Sequence, residues 1–111
     1  MRRIVATPLF DARLAALIDD YAERGATLLI KRLQKSYKDF ISNIGQFDEI
    51  AIVKRRRVGG KVIDVRQYIL DAGSRDFTVL YWVPPEDDEP ILLLNIKIGG
   101  QNRFKWKLLK G

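Results

Sequence analysis

Histidine and cysteine are both absent from this 111-residue chain. The commonest metal ligand, the usual general base near neutral pH and all thiolate chemistry are therefore missing. Any chemistry falls to lysine, arginine and tyrosine. Arg66 and Tyr68 stand two apart in a segment of alternating polarity, and Asn95 and Lys97 hold the same relation inside the apolar run Ile91–Ile98. Lys54-Arg55-Arg56-Arg57 is the densest run of cations, and Arg103-Phe104-Lys105-Trp106-Lys107 interleaves cations with rings.

Each grouping has a chemical reading and a plain one. In a strand, alternate members of Lys54–Arg57 point to opposite faces, so two of the four can share a phosphate-binding surface. The same run would also guard an edge strand against aggregation. Single-stranded nucleic acid uses cation–ring interleaving, cations on phosphates and rings on bases. Phe104 and Trp106 would equally complete a core while Arg103, Lys105 and Lys107 face water. A lysine at 97 amid aliphatic neighbours marks either a functional surface or a strand end emerging into solvent. Glu86-Asp87-Asp88-Glu89 lacks the spacing of a calcium loop and reads as a solvated hairpin tip. Gly59-Gly60 and Gly99-Gly100 lack the pattern of a phosphate loop. No metal or cofactor is expected.

The net charge of +6 is unevenly placed. Residues 51–70 carry +5, residues 71–90 carry −5 and residues 91–111 carry +5. Two basic blocks around an acidic one fit a polyanion-binding surface. Apolar residues make up 47% and charged residues 31%, a globular balance. The length suits one domain over residues 1–111. No segment has the apolar run of a signal peptide or a membrane span, so the cytoplasm is the expected compartment.

The elements that must position these residues follow from periodicity. Residues 2–6 read as a short strand. Thr7-Pro8 reads as a helix cap followed by proline at the first helical position. Phe10, Leu14, Leu17, Ile18 and Tyr21 form one helical face, and Gly25 ends that helix. Thr27 is expected to cap a second helix, with Ile30, Leu33, Tyr37, Phe40, Ile41 and Ile44 inward and Lys31, Arg32, Lys35 and Lys38 on the opposite face. Gly45 ends it. The period then changes to two. Strands are expected over 50–56, 61–70, 77–83 and 91–98, with turns at 58–61 and 71–74 and an acidic loop over 84–90. Ile91–Ile98, the most apolar, is expected to be central. In 61–70 the alternation places Ile63, Val65 and Ile69 on one side and Asp64, Arg66 and Tyr68 on the other, polar side. The fold class is α+β: two N-terminal helices packed on one face of an antiparallel β-sheet, with the other face left for solvent or a ligand.

This order resembles the RelE/ParE superfamily of bacterial toxins. Residues 3–25, opening Arg3-Ile4-Val5-Ala6-Thr7-Pro8, look like that family's first strand and helix. Val65-Arg66-Gln67-Tyr68-Ile69-Leu70 resembles its strand of alternating basic and apolar residues. Phe77-Thr78-Val79-Leu80-Tyr81-Trp82-Val83, an acidic turn and residues 91–99 look like its last hairpin. The likeness spans nearly the whole chain. It departs at Phe77-Thr78 and Gly100-Gln101, where family members carry cations; Arg75 and Arg103 are the nearest substitutes.

The resemblance implies the toxin of a type II toxin–antitoxin system: growth inhibition, an acidic or amphipathic antitoxin as partner, and metal-independent cleavage of messenger RNA on the ribosome. Such cleavage uses the RNA's own 2′-hydroxyl, so the protein must supply a base, charge stabilisation and an acid. Lys61 or Lys97 would be the base, its pKa lowered by neighbouring cations. Arg66 and Arg103 would clamp the phosphate, and Tyr68 would act as acid or stack on a base. Lys54, Arg55, Arg56, Arg57, Lys105 and Lys107 would hold RNA. Gyrase-poisoning relatives keep the fold without nuclease residues, so a non-enzymatic inhibitor of DNA gyrase stands as the alternative. A basic nucleic-acid-binding module is a third reading.

Overall fold

Thr7 ties the start of the first helix to the sheet. The computed structural model describes residues 3–44, 52–58, 61–86, 88–100 and 104, with the backbone alone for 52–58, 61, 62 and 64. The Thr7 hydroxyl accepts from the Phe10 N–H at 3.3 Å and donates to the Leu93 carbonyl at 2.8 Å. One side chain thus caps helix α1 (Pro8–Glu23) and holds it to strand β5 (Ile91–Ile98). Pro8 supplies the preset φ of the first turn. Gly25, at φ +72°, takes the left-handed conformation that closes the helix.

Helix α2 (Thr27–Ile44) follows almost at once. Thr27 lies inside its first turn. The Ala26 carbonyl accepts from the Ile30 N–H at 3.1 Å, so Ala26 holds the cap position expected of Thr27. Gly45 lies outside the described residues.

The remaining strands are β1 (Ile4–Ala6), β2 (Ile52–Val58), β3 (Lys61–Asp71) and β4 (Asp76–Trp82). Their order in the sheet is β1-β5-β4-β3-β2. The strands after the helices pair antiparallel, as their alternation and short turns require. β1, however, pairs parallel with β5, Ile4 opposite Ile91, so the sheet is mixed and not purely antiparallel. The helix pair between β1 and the later strands lets β1 lie parallel, as a tight turn could not. β5 is internal but not central; β4 holds the middle. The β3–β4 turn is closed by Asp71, whose carboxylate accepts from the Gly73 N–H at 2.8 Å.

The helices cover one face of the sheet. Phe10, Leu17, Tyr21, Leu33, Phe40 and Ile44 pack there against Leu70, Phe77, Val79, Tyr81, Leu93 and Ile96. The other face carries a second, smaller cluster of Val65, Leu80, Leu94 and Phe104, with Ile63, Trp82 and Leu92 against it. A bulge feeds both faces. Leu80 pairs with Asn95 and Tyr81 with Leu93, so Leu94 is the extra residue of β5 and packs on the second face. Asn95 is fully buried beside it, and its side-chain oxygen accepts from the Ile96 N–H at 2.8 Å.

Arg13 shares the inward row of α1 with Phe10, Leu17 and Tyr21 and is 6% exposed. Its Nε has no hydrogen-bond partner among the described residues. Burying an unsatisfied N–H costs about 1–3 kcal/mol, and an apolar side chain of similar length removes that cost. Arg13→Met is therefore expected to hold or raise the urea midpoint. A loss of more than about 1 kcal/mol would show that the guanidinium contributes net stability.

Candidate functional site

The pairing register decides which cations meet. Arg66 lies opposite Tyr81, and Tyr68 lies opposite Val79. Directly opposed residues share a face, and Tyr81 and Val79 belong to the core under the helices. The Tyr68 ring confirms the assignment by stacking on Phe40 of α2, centroids 4.8 Å apart. Arg66 and Tyr68, both half-buried, thus lie on the helix-covered side. The polar face expected for them is reversed. Val65, Ile63 and Ile69 take the far side, where Val65 is fully buried and Ile69 is 60% exposed.

Lys97 lies opposite Thr78, whose neighbours Phe77 and Val79 both face the helices, so Lys97 and Thr78 face away from them. The Lys97 ammonium sits 5.3 Å from the centroid of the Phe104 ring. That contact keeps a cation at the margin of the second apolar cluster. Phe104 is 4% exposed, so it completes a core, as the plain reading of the tail held. Asn95, the other polar residue of this strand, bonds backbone beside the bulge and does not form a surface pair with Lys97.

The sheet therefore separates Arg66 and Tyr68 from Lys97. Lys61 stands at the end of the β2–β3 register opposite Val58. Lys54, Arg55, Arg56 and Arg57 occupy β2, at the edge of the sheet, opposite Val65, Asp64, Ile63 and Val62. Arg103, Lys105 and Lys107 lie outside the described residues, as does Trp106. Among the described residues no group of three or more histidine, cysteine, aspartate or glutamate side chains could hold a metal ion. Among them, too, no helix is long and apolar enough to cross a membrane.

Two surface recesses adjoin α2. One, of about 310 Å³, runs between α2 and the β3–β4 turn, lined by Arg32, Lys35, Ser36, Asp39, Asp71 and Gly73. Gly73 has φ +89°, and a Cβ there would lie 2.6 Å from an Arg32 guanidinium nitrogen. The turn thus needs glycine both for its backbone and for the arginine against it. The second recess, of about 350 Å³, lies between β1 and α2, lined by Ile4, Ala6, Tyr37, Lys38, Ile41 and Leu93. A third, of about 460 Å³, lies at the acidic hairpin tip, with Trp82 and Leu92 beside Glu86, Asp88 and Glu89.

Sequence reasoning passed over Arg13 and Tyr37 as polar groups of interest. The signal for Arg13 was its spacing, three residues from Phe10 and four from Leu17, which points it inward. Tyr37 stacks on Phe10, centroids 5.9 Å apart. No family model, no curated protein and no solved structure matches this chain.

Burial first, and then the Asp11 carboxylate, raises the Tyr37 phenol above its ordinary value of 10.0. A phenol whose pKa is higher folded than unfolded stabilises the fold fully below pH 10, and that contribution is lost as pH rises through the folded pKa. Phenolate absorbance should show a late-titrating contribution from Tyr37. Asp11→Asn should bring that contribution part of the way back, and Tyr37→Phe should remove it from the curve. A high-pH titration curve unchanged in Tyr37→Phe would contradict the assignment.

Proposed function

We propose that this chain is a toxin-type domain of the RelE/ParE kind that acts by binding a protein target and not by cutting RNA. DNA gyrase, the target in the alternative that the resemblance leaves open, is the target class. An acidic or amphipathic antitoxin would hold the domain in check, and the cytoplasm would be its place of action.

The observation that carries this reading is the separation of Arg66 and Tyr68 from Lys97 by the sheet. Cleavage through the 2′-hydroxyl needs base, acid and charge stabilisers within hydrogen-bond reach of one phosphate, about 2.6–3.2 Å. Side chains rooted on opposite faces do not converge in that way. The far face, moreover, adds Ile69, 60% exposed, beside its buried aliphatic and aromatic cluster. Such a surface suits a protein partner better than a phosphate chain. The element order supports the toxin reading: a short strand, a helix pair and an antiparallel meander whose last strand lies beside the first.

A second reading retains RNA cleavage on the ribosome. It is favoured by Lys97, which stands on the far face with Thr78 opposite. On that reading Lys97 would work with Arg103, and Arg66 would be dispensable for chemistry.

Induced expression in bacteria, followed by growth, plasmid supercoiling and primer extension on cellular messenger RNA, distinguishes these readings. The expected outcome is growth arrest with altered supercoiling and intact RNA. Cleavage lost in Lys97→Ala but kept in Arg66→Ala would transfer the assignment to the nuclease. Unimpaired growth at high expression would remove the toxin reading altogether.

A further inference from the structure

The exposed side of α2 takes no part in the proposed target binding, yet it carries the helix's cations. Lys31, Lys35 and Lys38 fall at i, i+4 and i+7, one row along the helix, with Arg32 beside it. All four are exposed. The opposite side of α2, through Leu33, Phe40 and Ile44, is buried in the core, so the row is held outward by packing. Asp39 is the lone acidic residue of α2. Its carboxylate lies 3.1 Å from the Lys35 ammonium, which accounts for one of the four charges. Lys31, Arg32 and Lys38 have no ion pair among the described residues.

The recess beside the row extends it sideways. Arg32 and the Ser36 hydroxyl line that recess, together with Asp39 and Asp71. Both carboxylates are engaged, Asp39 by Lys35 and Asp71 by the Gly73 N–H. Arg32 and Ser36 are left to meet an incoming anion. The span from Lys31 to Lys38 is about 10 Å at 1.5 Å per residue, so the row can meet several successive phosphates of a nucleic-acid strand.

The exposed positions of α2 carry no aromatic ring, and Tyr37 is committed to Phe10. Single strands are held by stacking bases on rings as well as by cations. A ring-free row in which Lys31, Arg32 and Lys38 have no ion pair among the described residues offers contacts to the backbone alone.

We propose that the exposed face of α2, through Lys31, Arg32 and Lys38, docks on the phosphate backbone of a nucleic-acid duplex without reading its sequence. The same phosphodiester chemistry is presented by duplex DNA and by duplex RNA. This surface is distinct from the β2 cations and from both sheet faces, so it stands or falls apart from the toxin reading.

The test is fluorescence anisotropy with short duplex DNA, duplex RNA of the same sequence and the corresponding single strand, between about 50 and 200 mM salt. The parent should bind duplex with a steep salt dependence. Removing three phosphate contacts should reduce the slope of log K against log salt by roughly 2 to 3, at about 0.9 per contact. The combined Lys31→Ala, Arg32→Ala and Lys38→Ala variant should show that reduction, and Lys31→Gln with Lys38→Gln a reduction of about 2. An unchanged thermal midpoint in either variant shows that folding is intact. Loss with one duplex and not the other supports the proposal and names the source. A slope unchanged in both variants, binding by the parent to the single strand alone, or no binding to duplex at the lowest salt would overturn it.

Discussion

The stack of Phe40 on Tyr68 is the contact on which the arrangement of the sheet depends. Phe40 projects from α2, is fully buried, and also meets the Tyr81 ring edge-on at 5.5 Å. Aromatic pairs of this kind contribute about 0.5–1.5 kcal/mol beyond the area they bury. Their larger effect is on register. Side chains alternate strictly along a strand, so fixing Tyr68 beneath α2 fixes the facing of every neighbour in β3. Arg66 and Leu70 must then lie on the same side, and Val65, Gln67 and Ile69 on the other. β4 follows through its pairing with β3, and β5 follows through β4. The separation of Arg66 from Lys97 is therefore a consequence of one ring contact carried through two hydrogen-bonded ladders.

The bulge in β5 makes both faces of the sheet tenable at once. Without the extra residue, strict alternation would carry Asn95 and Lys97 to the face of Leu93, under the helices. With it, Ile96 joins Leu93 in the helix-side core while Leu94 fills the second cluster and Lys97 takes the far face. The buried Asn95 amide accepts the backbone N–H of Ile96 at this irregularity. A polar residue in an apolar strand invites a functional reading, yet here the physical demand is the satisfaction of a buried donor.

Much of the fold was legible because its determinants are local. Thr7-Pro8 announces a capped helix, Gly25 a left-handed stop, and Asp71 with Gly73 a turn. The inward residues from Phe10 to Ile44 repeat at helical spacing. The parallel pairing of β1 with β5 was not legible, since it joins segments more than eighty residues apart and leaves no trace in local pattern. Nor were the faces of β3. Ile63, Val65 and Ile69 against Asp64, Arg66 and Tyr68 reads as core against solvent. That inference assumes one buried face. Here both faces carry apolar clusters, so alternation alone cannot say which side the helices take. Tyr68 held the missing information, because a ring can serve either a polar or an apolar layer, and Phe40 decided it. The cations of α2 were visible as a row in the sequence. That Asp39 neutralises Lys35 alone among them needed the structure.

Nuclear Overhauser contacts in solution test the central claim, the division of the candidate residues between the two faces. The account predicts contacts from the Tyr68 ring to Phe40 and Tyr81, contacts from the Lys97 side chain to the Phe104 ring, and none from Lys97 to Tyr68. Contacts linking Tyr68 to Lys97 or Phe104, with none to Phe40, would place the candidate residues on one face and contradict it.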